Sequence, residues 1–201
     1  MGTLGGAFAV RTVAVIGAGR VGRSFALACA AAGFDVVLED VMPAKLRRAQ
    51  EEYAELGAVR TAGAEAGRGG TARLRVALTV EDAVRAADVA VDFVPDELES
   101  KLEIFCMVDR MAPPKTVLMT PSEALSITDL ASCTYRGERC SAVRGMVAGD
   151  AFEAGRPVRL LHPKNSSAEA LTAVGDFLRT LGCTVQVEED RDAPMLVKNY
   201  L

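Results

Sequence analysis

Three glycines spaced G-x-G-x-x-G, Gly17, Gly19 and Gly22, break the apolar run "VAVIGAGRVG", and Asp40 follows 21 residues after the second of them. Together these residue types can hold a diphosphate and a sugar. The first glycine permits a tight turn, the second lets the backbone approach a pyrophosphate, and the third lets helix and sheet pack closely. A helix opening at Arg20 and Val21 offers N–H groups and a partial positive charge to the phosphates. A carboxylate at Asp40 accepts from ribose hydroxyls and repels a 2′-phosphate, so the pattern favours NAD(H) over NADP(H). Glu39 could share that role, although strand alternation turns it elsewhere. The alternative is a tight strand-to-helix turn that binds nothing.

Other chemistry-bearing residues are sparse. The five cysteines (Cys29, Cys106, Cys133, Cys140, Cys183) are scattered without a C-x-x-C pair, which suggests reduced, mostly buried thiols in a cytoplasmic protein. His162 is the one histidine, so no metal site is expected.

Elements that would position the cradle alternate from Arg11 to about Glu188. "TVAVIG", "DVVLED", "LRVAL", "VAVDFV", "KTVLMT" and "TVQVEE" read as strands. The helix after the glycines places Val21, Phe25, Ala28 and Ala32 on one face and stops at Gly33. Pro43 opens a second helix, "PAKLRRAQEEYAEL", while residues 57–72, rich in Gly and Ala, read as a loop or poorly formed helix. Leu98, Leu102, Phe105, Val108 and Ala112 mark another helix face ended by Pro113. Leu171, Val174, Leu178 and Leu181 mark a last one. Ser126 with Asp129, and Ser166 with Glu169, have the spacing that caps helices. This alternation predicts an α/β protein: a Rossmann-type, doubly wound, mostly parallel sheet with helices on both faces. Residues 1–188 form the domain, and 189–201 read as a linker and the first turns of a further helix.

From Val13 onward the chain resembles the NAD-binding domain of the 3-hydroxyacyl-CoA dehydrogenases. "VAVIGAGRVG", "GFDVVLED", "ADVAVDFVPDELESKLEIF", "LSITDLA", "RGERCSAV" and "DAPMLVKNYL" carry the resemblance in the family's order. It implies oxidation of a 3-hydroxyl with hydride passed to NAD⁺. It places Asp96 and Lys101 at the nicotinamide ribose, where acid and base on an exposed helix start is the alternative. Phe93 and Val94 line the nicotinamide side. The family's proton-accepting histidine falls on Arg144, which cannot take a proton. The histidine's orienting glutamate falls roughly on Arg159, and the family's serine on Glu123. Asn199 keeps the family's asparagine. Glu123 becomes the candidate base if burial raises its pKa, or the partner of Arg144 or Arg159 in an ion pair. Either arginine could instead hold an anionic substrate. His162 lies on the strand face opposite Arg159 and is expected to have no catalytic role.

The family's helical acyl-binding domain would begin at the helix containing Asn199, and this sequence ends two residues later. A homodimer or partner chain covering the open cleft is therefore expected. The net charge of −4 gives no reason to expect nucleic acid, and no apolar run or leader suggests a membrane or secretion. Two readings follow. One is an oxidoreductase acting on a 3-hydroxy or 3-keto acyl thioester or related small molecule. The other is an inactive NAD(H)-binding module serving as sensor, scaffold or complex subunit.

Overall fold

The computed structural model describes residues 8–63, 73–149 and 151–191. In chain order the elements are β1 (Thr12–Ile16), α1 (Arg20–Ala31), β2 (Asp35–Glu39), α2 (Pro43–Gly63), β3 (Leu74–Ala77), α3 (Val80–Val84), β4 (Val89–Asp92) and α4 (Leu98–Met111). They continue with β5 (Val117–Pro121), α5 (Ile127–Ser132), β6 (Cys140–Arg144), β7 (Val147–Ala148), β8 (Ala151–Phe152), β9 (Pro157–His162), α6 (Ala168–Thr180) and β10 (Thr184–Glu189). The main sheet has eight strands in the order β10-β9-β6-β5-β4-β1-β2-β3. From β6 to β3 all neighbours are parallel; β9 and β10 are parallel to each other, and β9 runs antiparallel to β6. The mostly parallel, doubly wound architecture expected from the alternation is the one observed. Its strand order reverses between β1 and β4, where such sheets open a crevice at their carboxyl ends.

Alternation along the strands makes two cores. Val13, Val15, Val36, Leu38, Val89, Val91 and Val143 face α1, α2 and α6, while Ala14, Ile16, Val37, Ala90, Leu118 and Ala142 face α3, α4 and α5. Phe25 anchors the first core, its ring 5.1 Å from Phe93, 5.2 Å from Phe152 and 6.1 Å from Phe177. It thereby pins α1 to the end of β4, to the small β7–β8 hairpin and to α6.

The structure refines three local readings. The buried residues of α1 are Gly22, Arg23, Phe25, Ala26, Cys29 and Ala30; of the expected stripe Phe25 is buried, whereas Val21 and Ala28 are half-buried and Ala32 is exposed, the close packing at Gly22 turning the helix by about one position. Of residues 57–72, read as a loop or poorly formed helix, residues 57–63 continue the second helix to Gly63, a stretch that holds no proline; residues 64–72 lie outside the described residues. At α6 the capping oxygen belongs to Ser167 rather than Ser166, whose hydroxyl donates to the Pro163 carbonyl. The Ser126 cap on α5 stands as expected. Among the described residues no helix is long and apolar enough to cross a membrane.

Candidate functional site

The glycine-rich turn leaves β1 and enters α1 at the strand-order reversal. Gly17 holds φ +98°, a left-handed conformation that favours glycine, and a Cβ there would also press to 3.2 Å from the Phe93 carbonyl oxygen. A Cβ on Gly22 would collide with the Gly17 carbonyl oxygen, so the third glycine is required by packing. Gly19 differs from both. A Cβ there would meet nothing within 4 Å, which leaves open space at the mouth of α1. Gly19 is itself the N-cap of α1; no side chain caps the helix, and its first turn contains no acid. By contrast α3, α5 and α6 are capped by Thr79, Ser126 and Ser167. The first N–H groups of a helix have no partner inside it, so this end could hold a diphosphate. Arg20 is exposed and Val21 half-buried at the same rim.

Asp40 closes the turn from the next strand. Its Oδ2 accepts from the Ala18 N–H at 2.9 Å and from Lys45 Nζ at 3.0 Å, and its Oδ1 accepts from the Met42 N–H at 2.9 Å. Burial alone would raise its pKa, but Lys45 and the Met42 and Ala18 amides outweigh that and hold the carboxyl below its usual range. The aspartate is therefore charged and stationary, bracing the glycine loop from β2. Glu39 lies on the other face of β2, buried, its pKa raised by desolvation and by the neighbouring Asp40 charge. Beside Asp40, Val41 (79% exposed), Met42 (51%) and Leu78 (57%) form an exposed apolar rim after β2 and β3. This rim could take a flat apolar ring. Its signal in the sequence was an apolar pair placed directly after the acidic "ED".

Lys101 is not at an exposed helix start. It is completely buried, and its Nζ donates to Asp92 Oδ1 at 2.9 Å and to Thr120 Oγ1 at 2.8 Å. Both partners sit at strand ends, Asp92 closing β4 and Thr120 in β5, so the ammonium ties β4, which borders the crevice, to its neighbour β5. Lys101, which the resemblance places at the nicotinamide ribose, holds its charge between these two strand ends. Burial raises the Asp92 pKa against the pull of Lys101. Phe93, next in sequence, packs its ring on Phe25, and Val94 is half-buried at the mouth.

Asp96 and Glu123 are brought together, which their separation in sequence did not reveal. Asp96 Oδ2 accepts from the Glu123 N–H at 3.1 Å, and Glu123 Oε1 accepts from the Gly145 N–H at 2.6 Å. These bonds link the loops after β4, β5 and β6 in one chain along the carboxyl edge of the sheet. Glu123 is exposed, and the group its carboxylate bonds is the Gly145 backbone amide rather than either arginine. Arg144 and Arg159 are direct cross-strand partners on β6 and β9. His162 bonds the Pro163 carbonyl oxygen through Nδ1 at 2.8 Å and takes no part in this cluster. Asn199 lies outside the described residues.

Comparison with known proteins fits this geometry. Over 201 residues the chain is 28% identical to a probable 3-hydroxybutyryl-CoA dehydrogenase of Bacillus subtilis (strain 168), covering 94% of this chain and 66% of the relative. It is 25% identical over 191 residues to 5-formyl-3-hydroxy-2-methylpyridine 4-carboxylate 5-dehydrogenase of Mesorhizobium japonicum, covering 94% of this chain and 60% of the relative. The chain thus spans less than two thirds of the length of these relatives. A crystal structure of 3-hydroxybutyryl-CoA dehydrogenase from Escherichia coli K12 superposes with TM-score 0.76 at 26% identity, covering 90% of this chain and 38% of that one. The family described as 3-hydroxyacyl-CoA dehydrogenase, NAD binding domain, matches residues 12–190, which takes in the glycine turn, the buried lysine and the arginine pair alike. The chain belongs to that family, and NAD is the cofactor its oxidoreductase-like fold serves.

Proposed function

We propose that this chain works as an NAD(H)-dependent oxidoreductase on a 3-hydroxy or 3-keto acyl thioester or a related small compound. The observation that carries the reading is the uncapped start of α1, with open space beyond Gly19, at the strand-order reversal. In this reading the diphosphate sits on Gly17, Gly19, Arg20, Val21 and Gly22. Asp40 receives the adenosine ribose with its remaining lone pairs, and Val41, Met42 and Leu78 face the adenine. Phe93 and Val94 line the nicotinamide side, with Asp96 beside its ribose and Lys101 positioning the β4 and β5 ends from within. The bound cofactor supplies hydride acceptance or donation at the substrate carbon. Glu123 takes or returns the hydroxyl proton on Oε2, while Oε1 stays bonded to the Gly145 amide. Arg144 holds a fixed positive charge and moves no proton. Asn199 completes the site, and a second copy or partner chain covers the open cleft in the cytoplasm. The two relatives act on different compounds by name, a hydroxybutyryl-CoA and a pyridine carboxylate, so the family leaves the substrate open.

A fluorescence titration with NADH, run beside absorbance assays with acetoacetyl-CoA and NADH, tests this. Saturable NADH binding with turnover that disappears in Glu123→Gln supports the oxidoreductase. The second reading, an inactive NAD(H)-binding module, draws on the arginines standing where the family has its histidine–glutamate pair. It predicts NADH binding with no turnover over a series of 3-keto compounds. Absence of NADH binding rejects both.

A further inference from the structure

Arg144 and Arg159 face each other across the antiparallel β6–β9 pair, and Gln186 continues the same row on β10. Residues directly opposite on such a pair carry their Cβ atoms about 5 Å apart on one face, and like charges placed there destabilise the sheet. Little on the protein offsets this. Arg144 has its Nε buried without a hydrogen-bond partner, and among the described residues no carboxylate lies within ion-pair distance of it. Arg159, with a side chain 48% exposed, reaches Glu188 alone among the described carboxylates, at 3.4 Å. Glu123, which lines the same cleft, accepts from the Gly145 amide. Both guanidinium groups line an open cleft of about 440 Å³ with Glu123, Gly145, Thr184 and Gln186. They also line a neighbouring one of about 670 Å³, where Glu188, Glu189, Asp190 and Arg191 contribute charges of both signs. Asp190 is itself committed to Ser126 Oγ and the Thr128 N–H.

We propose that Arg144 and Arg159 form a receptor for the carboxylate of the substrate, so that the compound handled is a free 3-hydroxy or 3-oxo acid anion. A planar carboxylate between the two guanidinium groups accepts N–H bonds from each and cancels the cross-strand repulsion. The amide of Gln186 adds a donor at the end of the row. The site lies beside Glu123 at the carboxyl edge of the sheet, where the proposed function needs its substrate, and the assignment rests on that reading.

Calorimetric titration of the full chain tests it, with acetoacetate, methyl acetoacetate and acetoacetyl-CoA as probes, each with and without NADH. Acetoacetate is expected to bind saturably and the uncharged methyl ester not detectably. Arg144→Gln and Arg159→Gln should each weaken acetoacetate roughly tenfold or more, with Arg159→Lys intermediate. Thermal melts check folding: acetoacetate should raise the wild-type melting temperature and leave that of the Arg144→Gln/Arg159→Gln double variant unchanged. Unaltered acetoacetate affinity in the double variant overturns the proposal, as does equal binding of the methyl ester. Arginine-dependent binding of acetoacetyl-CoA alone also overturns it, since the anion would then be a phosphate of the carrier. Arginine-dependent acetoacetate binding without any NADH binding would keep the receptor and reject the cofactor-based function.

Discussion

At the scale of single residues, the three glycines of one motif do different work. Gly22 is required by the Gly17 carbonyl lying where its Cβ would be, whereas the position of a Cβ on Gly19 is empty. Gly22→Ala should therefore lower both stability and NADH binding. Gly19→Ala, at an extended φ of −60° and ψ of 179°, should change stability by no more than about 1 kcal/mol while weakening NADH by its bulk at the helix mouth. Thermal melts and fluorescence titration of the two variants distinguish these roles. Asp40 makes a pH prediction. Its folded pKa is depressed, so its stabilising contribution is present above the ordinary carboxyl range and is lost as pH falls through the folded value. Melting temperatures between pH 5 and pH 2 should fall more steeply in the wild type than in Asp40→Asn, with the divergence below about pH 4.

At the scale of elements, α4 carries a lysine in its buried face. Phe105, Val108 and Ala112 were legible as apolar positions at helical spacing, and they are buried. Lys101 sits on the same side of the helix, and periodicity alone assigns a lysine to water. Only β4 and β5, supplying Asp92 and Thr120, make its burial tolerable. Removing one partner of a buried ion pair leaves the other charge uncompensated, so Lys101→Met should cost about 3–5 kcal/mol in urea unfolding. The double variant Asp92→Leu/Lys101→Met should recover most of that loss. Helix ends were legible where a cap acts locally, as at Ser126, and shifted by one at Ser167, where two serines compete and the neighbouring Pro163 carbonyl takes the first.

At the scale of the whole molecule, the two cores decide which thiols react. Cys29, Cys140 and Cys183 are buried, Cys106 is half-buried and Cys133 exposed. Burial pushes the Cys140 thiol up to about 12 and raises Cys29 and Cys183 as well. Since the thiolate is the nucleophile, native labelling with a maleimide should modify Cys133 first and Cys106 more slowly. The other three should react only after unfolding, which peptide mass spectrometry can follow.

By itself the sequence determined what depends on near neighbours: strand and helix alternation, the glycine spacing with its aspartate, and the order of motifs shared with the dehydrogenases. Those features rest on local periodicity and on φ/ψ demands that a few residues set. The tertiary structure alone decided that Arg144 meets Arg159, that Asp96 holds the Glu123 amide, and that Lys101 is enclosed with Asp92 and Thr120. Each of these depends on strand register or on burial between distant segments, and both are set by the packing of the sheet as a whole.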